Sequence, residues 1–436
     1  MSKLDIYRGD VFHFIEDPSS KELESLDDSY EYIEDGALFV KDGKISALMK
    51  FSEVSETDLS DSNTELHHYK GGLIMPGFID THVHYPQTEM IASHGEQLLN
   101  WLKNYTFPTE QKFSSYEYGK KIADFFLQQL IDNGTTTALV FGTVHPESVN
   151  AFFDAALARQ MRMICGKVLM DRNAPEALLD SPEEGYRQSK ELIEKWHGKE
   201  RLQYAVTPRF APTSSDDQLS MAKRLLEEHP TVYLHTHLSE NESEVEWVKQ
   251  LNPDKKGYLD VYDSHNLLGQ RSVFAHCIHL QDEEAERLSE TDSCVAFCPS
   301  SNLFLGSGIF NLKKAESFGY KVGLGTDVGA GTSFSLLKTM SDAYKSQQLI
   351  GQPLSAFKSF YLATLGGARA LSLNNSIGNF SVGKEADFIW LNYNASPLLS
   401  LRIENCHTLA EKLFALLVLG DDRSVGATHI LGQRVK

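Results

Sequence analysis

From Leu73 onward, short apolar runs alternate with amphipathic stretches of helical length. Eight runs stand out: LIMPGFIDTHVH, TTTALVFGT, RMICGKVLMD, LQYAVTPRF, TVYLHTHLSE, SVFAHCIHL, CVAFCPSS and KVGLGTDVGAG. Near-continuous apolar character over a few residues marks a strand buried on both faces of a parallel sheet. The segments between them carry helix signals. SSYEYGKKIADFFLQQLIDNG closes on Gly134, and TSSDDQLSMAKRLLEEH opens on Ser and Asp caps. Eight strand–helix repeats over about three hundred residues predict an α/β fold, a (β/α)8 TIM-like barrel. An open doubly wound sheet is the alternative.

The chain ends have a different pattern. VFHF, YEYIEDGALFVKDGKISALMKF and ELHHYKGG are rich in β-branched and aromatic residues, and Asp42-Gly43 between two apolar runs predicts a hairpin. The stretch Glu16 to Asp28 is acidic and Ser-rich and reads as an exposed loop. After the helix candidate LSAFKSFYLATLGGARALSL, strand-like ADFIWLN and ATHILGQRV follow. The expected organisation is a barrel over 73–381 and a small β-sandwich-like domain built from 1–72 and 382–436.

Composition narrows the function classes. The chain has 436 residues, 41% of them hydrophobic and 23% charged, ordinary values for a globular protein. Its net charge of −19 opposes a nucleic-acid or anionic-membrane surface, which needs basic patches. Five cysteines without zinc-ribbon spacing read as reduced thiols. The first residues, MSKLDIYRGD, contain no apolar signal core, and no run approaches the ~20 apolar residues of a membrane span. A cytoplasmic protein is expected.

The candidate chemistry lies at strand ends, where barrel enzymes build their sites. His82 and His84 alternate along the first strand, so both imidazoles point to one side and can reach one ion. An HxH pair alone is weak evidence, because His67-His68 and His235 show that histidine recurs here. His237 ends the fifth strand and offers a third ligand. Glu240, three residues on, suits a general acid/base beside the ion. His235 reads as a hydrogen-bonded core histidine. The sixth strand ends at His276, and the eighth at Asp327, a carboxylate that is costly on a buried strand unless paired or metal-bound. Gly323, Gly325, Gly329 and Gly331 surround Asp327 and would permit close approach to a ligand.

PGFIDTHVH, HLSE, AHCIHL and LGTDVGAG, in that order, resemble the strand-end motifs of the amidohydrolase superfamily. VGKEADFIWL resembles its return into a small β-domain, so the resemblance covers nearly the whole chain. Dinuclear members carry a carboxylated lysine on the fourth strand. Here that strand ends Pro208-Arg209, and Lys167 ends the third, outside the expected metal site. The resemblance therefore implies the mononuclear branch: one zinc per chain held by His82, His84, His237 and Asp327, with His276 orienting water or touching substrate. Further local matches are HVHYPQ with Gln87, NWLKNYTFPTEQKF, NGTTTALVFGTVH, Arg209-Phe210 and SSNLFLGSG. They resemble the guanine deaminases, and imply that Gln87, Arg209 and Phe210, beside His84 and His237, bind a purine. The implied reaction is hydrolysis of guanine to xanthine and ammonia. Catalysis would fall to Glu240, Asp327 and His276, in a homodimer of purine catabolism. The rival readings are a related deaminase or chlorohydrolase acting on adenosine derivatives, triazines or cytosine, and a non-catalytic scaffold on the same fold. The scaffold reading is opposed by the presence of all five ligand and acid/base residues, His82, His84, His237, Glu240 and Asp327.

Overall fold

The eight apolar runs fold as parallel strands: Phe78–His84, Thr135–Phe141, Arg162–Gly166, Gln203–Pro208, Tyr233–Leu238, Ser272–His276, Cys294–Phe297 and Lys321–Leu324. A two-residue strand, Val168–Leu169, prolongs the third and pairs with the fourth. The computed structural model describes residues 3–19, 24–95 and 97–436. The last strand returns to the first and nearly closes the barrel. Thr81 Oγ1 donates to the Leu324 carbonyl at 2.9 Å, and the Asp327 amide to the His82 carbonyl at 2.9 Å. The glycines around Asp327 permit close packing, two of them at this seam and two in the loop that follows. A Cβ on Gly323 would strike Thr81, one on Gly325 His82 and Cys298, one on Gly329 Gln87, and one on Gly331 the Thr326 carbonyl.

Inward side chains such as Ile79, Leu139, Ile164, Tyr233, Val273 and Ala296 fill the barrel. Its lower end is closed by the segment predicted as one helix, which is two: Ala356–Leu362 and Leu365–Ala370. Thr364, at φ −131° and ψ −100°, breaks them. The second piece turns under the barrel, where Tyr233 donates to the Leu371 carbonyl at 2.7 Å. Periodicity alone did not show this break, because both halves keep the same apolar spacing. The other two helices read from their caps form as predicted. Ser115 caps Tyr116–Asp132, which ends before Gly134 at φ +79°, and Ser215 caps Asp216–Glu228.

The chain ends form one seven-stranded sheet, in the order Gln433–Arg434, Val425–Ile430, Phe388–Asn392, Thr64–Pro76, Leu4–Phe14, Tyr30–Lys41, Lys44–Lys50. Asp42 and Gly43, both at positive φ, turn the predicted hairpin. Thr64–Pro76 pairs with strands from both ends of the chain and runs directly into the first barrel strand. Of the predicted acidic loop, residues 20–23 lie outside the described residues. Residues 24–28 are exposed, and Ser25 caps a short turn, Leu26–Ser29. Two helices, Pro397–Glu404 and Leu409–Leu419, stand between the strands predicted near the C-terminus.

Candidate active site

Three imidazoles and a carboxylate meet at the upper end of the barrel. His84 Nε2 lies 3.2 Å from both His82 Nε2 and His237 Nε2. Asp327 Oδ1 lies 3.2 Å from His82 Nε2 and 3.3 Å from His84 Nε2. All four residues are buried. Burial, reinforced by neighbouring positive groups, holds the three histidines well below their usual range, so they are neutral. Asp327 is pushed up, chiefly by burial.

The hydrogen positions follow from the partners. His237 Nδ1 faces the Arg209 carbonyl at 2.7 Å; a carbonyl only accepts, so Nδ1 carries the hydrogen and Nε2 is bare. His82 Nδ1 faces His235 Nε2 at 2.7 Å, a bond that, with the hydrogen on His82, leaves its Nε2 bare as well. His235 is thus the hydrogen-bonded core histidine expected, one layer below the site. Bare nitrogen lone pairs this close to one another and to a carboxylate oxygen repel unless a proton or a cation lies among them. The donor set of three nitrogens and one oxygen suits a divalent transition metal. Lys167, buried against Asp180, stands apart from this cluster.

Beside the cluster, His276 Nε2 lies 3.4 Å from Glu240 Oε2 and 3.9 Å from Asp327 Oδ2. Its Nδ1 faces Asn302 Oδ1 at 2.9 Å, which turns Nε2 toward the two carboxyls. Burial, and then the charge of Asp327, push Glu240 up to about 8. Glu244 is buried behind it and accepts from the Glu240 amide at 2.9 Å, the Asn241 amide at 3.1 Å and the Tyr258 hydroxyl at 2.6 Å. The strand ends here are strained. Ser239 (φ 49°), His276 (φ 73°), Cys277 (φ 52°) and Asp327 (φ 49°) all hold left-handed backbone that non-glycine residues avoid. Such outliers persist where the surrounding structure fixes them, and here three strand ends turn side chains toward one point.

A pocket open to solvent rises from the cluster. Gln87, Arg209, Phe210 and Trp101 line it together with His84, His237, His276, Glu240 and Asp327. All the candidate residues named from the sequence except His82 line this pocket, and His82 lies directly beneath it. Sequence reasoning missed the side chains that aim them. Asn302 and Glu244 are among these, although SSNLFLGSG and the residues after HLSE held them in view. Glu110 is another. It is wholly buried, and its carboxylate accepts from Arg209 Nη1 at 2.8 and 3.0 Å and from Gln87 Nε2 at 3.2 Å. Its only sequence signal was an acid in the quoted stretch NWLKNYTFPTEQKF.

The geometry has close counterparts. The model of the amidohydrolase family matches residues 73–435. Guanine deaminase of Escherichia coli (strain K12) is 54% identical over 426 residues, 98% of this chain and 95% of the relative. The solved E. coli guanine deaminase superposes with a TM-score of 0.96 at 52% identity, covering 99% of each chain. A guanine deaminase from C. acetobutylicum, solved with guanine bound in its active site, superposes with a TM-score of 0.89 at 30% identity, covering 100% of each chain. The chain is therefore a member of the amidohydrolase family and, within it, of the guanine deaminases.

Proposed function

We propose that this protein hydrolyses guanine to xanthine and ammonia with one zinc ion per chain, held by His82, His84, His237 and Asp327. The observation that carries this reading is the convergence of bare imidazole nitrogens and a buried carboxylate at the floor of a pocket whose wall holds Arg209, Gln87 and Phe210. When bound, the ion supplies Lewis acidity, which brings the pKa of water toward ~7.

The chain's own groups divide the remaining work. Arg209 offers donors to the purine's acceptors, Gln87 meets its polar edge, and Phe210 adds apolar contact. Asp327 accepts the proton of the attacking water. His276, aimed by Asn302, orients that water through Nε2. Glu240, pushed up to about 8, is largely protonated at neutral pH and gives its proton to the ring nitrogen beside C2 as water adds there. The negative charge that would otherwise build on the ring is thereby avoided. A proton passed through Glu240 to the amino group then lets ammonia leave from the tetrahedral carbon. The balance is guanine plus water to xanthine plus ammonia.

The reading carries with it a cytoplasmic homodimer of purine catabolism, and the five unpaired thiols support a reducing compartment. The test is to mix protein with guanine, adenine, cytosine and a thiolated nucleoside in parallel. Xanthine and ammonia are expected from guanine and no comparable release from the others. Preferred turnover of another substrate overturns the assignment. Elemental analysis checks the ion, and two metals per active chain would end the mononuclear reading.

A further inference from the structure

We propose that Glu110 is a positioning residue that sets the purine preference of this pocket by fixing which atoms Arg209 and Gln87 present to the base. The inference rests on the deaminase reading above. Glu110 ends the short helix Phe107–Glu110 and is 0% exposed; it stands behind the pocket wall and is not part of it. Its polar contacts among the described residues are the two that matter: Arg209 Nη1, at 2.8 and 3.0 Å from its two oxygens, and Gln87 Nε2 at 3.2 Å. A buried carboxylate is stable only when paired, so this contact is an organised one. The same helix places Phe107 beneath the Arg209 guanidinium, 5.6 Å from the ring centre.

The chemistry of the acceptor decides what the other two groups can do. A carboxylate has no hydrogen to give, so Gln87 must turn its amide NH2 toward Glu110. Its carbonyl oxygen then has no protein partner among the described residues and remains an acceptor. Arg209 commits one nitrogen, Nη1, to the carboxylate, and its Nε and Nη2 likewise have no protein partner among the described residues. The wall therefore presents an acceptor at Gln87 and donors at Arg209, and Gln87 cannot flip to present its NH2 while the Glu110 carboxylate holds it. Guanine offers both complements, N–H donors on its N1–C2 edge and acceptors at O6 and N7. 2-Aminopurine, which lacks O6 and the N1 hydrogen, offers fewer.

The test compares the unmodified protein with Glu110→Gln, Gln87→Ala and their double variant. Glutamine at 110 can donate as well as accept, so Gln87 is freed to flip and Arg209 loses its counter-charge. The expected result is a KM for guanine raised about ten- to hundredfold with a much smaller change in kcat, and an equal fall in the preference for guanine over 2-aminopurine. Metal content should not change. The Gln87 and Glu110 effects should be less than additive in the double variant, as for groups acting through each other. Equal losses toward both purines, or strict additivity, overturn the proposal and leave Glu110 a packing residue. If Glu110→Gln does not yield folded protein, Glu110→Asp, which keeps the charge but withdraws it by one methylene, is read by the same criteria with a smaller shift expected. Failure of the unmodified protein to release ammonia from guanine sinks the proposed function instead. In that case guanine binding, read from its displacement of fluorescent 2-aminopurine, still decides. Equal weakening in both single variants with no further loss in the double supports the positioning role, and unchanged binding in Glu110→Gln refutes it.

Discussion

Glu240 and Arg209 separate proton transfer from substrate binding, and each has its own expected signature. Glu240→Gln keeps the shape and removes the proton. Turnover should fall by about 10²–10⁴-fold, the range for general acid/base groups, with metal retained. Loss of metal in that variant would make Glu240 a ligand. The unmodified enzyme should also lose activity as pH rises toward and beyond about 8, because Glu240 acts in its protonated form and its pKa is raised. The alkaline limb should disappear in Glu240→Gln; a limb that persists belongs to another group. Arg209→Ala removes charged hydrogen bonds of ~1.5–3 kcal/mol each, so guanine turnover should weaken by roughly ten- to hundredfold or more. Metal content should hold, because a guanidinium does not ligate. Parent-level activity in that variant would reduce Arg209 to the partner of Glu110.

Among the elements, strand ends and capped helices were legible and the irregular turns between strands were not. His82, His84, His237 and Asp327 could be named because alternation along a strand and the cost of a buried carboxylate are local facts. Glu110 could not, since its role depends on Arg209, 99 residues away, and on a run of short helical turns from Leu98 to Ser114 that no single period describes. The glycines near Asp327 were read correctly as places of close approach, but a sequence does not show what approaches, and the neighbours are Thr81, His82, Cys298, Gln87 and the Thr326 carbonyl. Gly329 is the sharpest case. It sits at φ +126°, and a Cβ there would lie 1.9 Å from Gln87 Oε1. Gly329→Ala should therefore both strain the loop after the last strand, by ~1–3 kcal/mol, and push Gln87 out of place. The expected result is a lower thermal midpoint together with a raised KM for guanine. A raised KM without loss of stability would mean that the loop shifts freely, and an unchanged KM would mean that Gln87 does not meet the base.

At the scale of the molecule, the chain ends are tied to the barrel by more than sequence continuity. Thr64–Pro76 pairs with Leu4–Phe14 on one side and with Phe388–Asn392 on the other. Buried Arg201, just before the fourth barrel strand, pairs with Asp387 at 2.9 Å and with Glu385 at 3.3 Å. Arg369, in the helix under the barrel, pairs with Glu16, and buried Lys358 with Asp17 at 2.8 Å. Phe12 and Phe14 lie in the same apolar cluster as the barrel's outer helices. Removing the first seventy residues would therefore expose one edge of the strand leading into His82, strip apolar cover from the helices beneath, and leave Lys358 without one of its two carboxylate partners, Glu316 being the other. An uncovered strand edge beside an apolar face is a template for aggregation. The truncated chain should accumulate as insoluble protein, read from the soluble fraction after expression and from its metal content. These ties argue that the barrel is not a unit of stability apart from the end sheet. A soluble, metal-loaded and active fragment spanning 73–373 would show that the barrel stands alone and that the end sheet is an accessory to it.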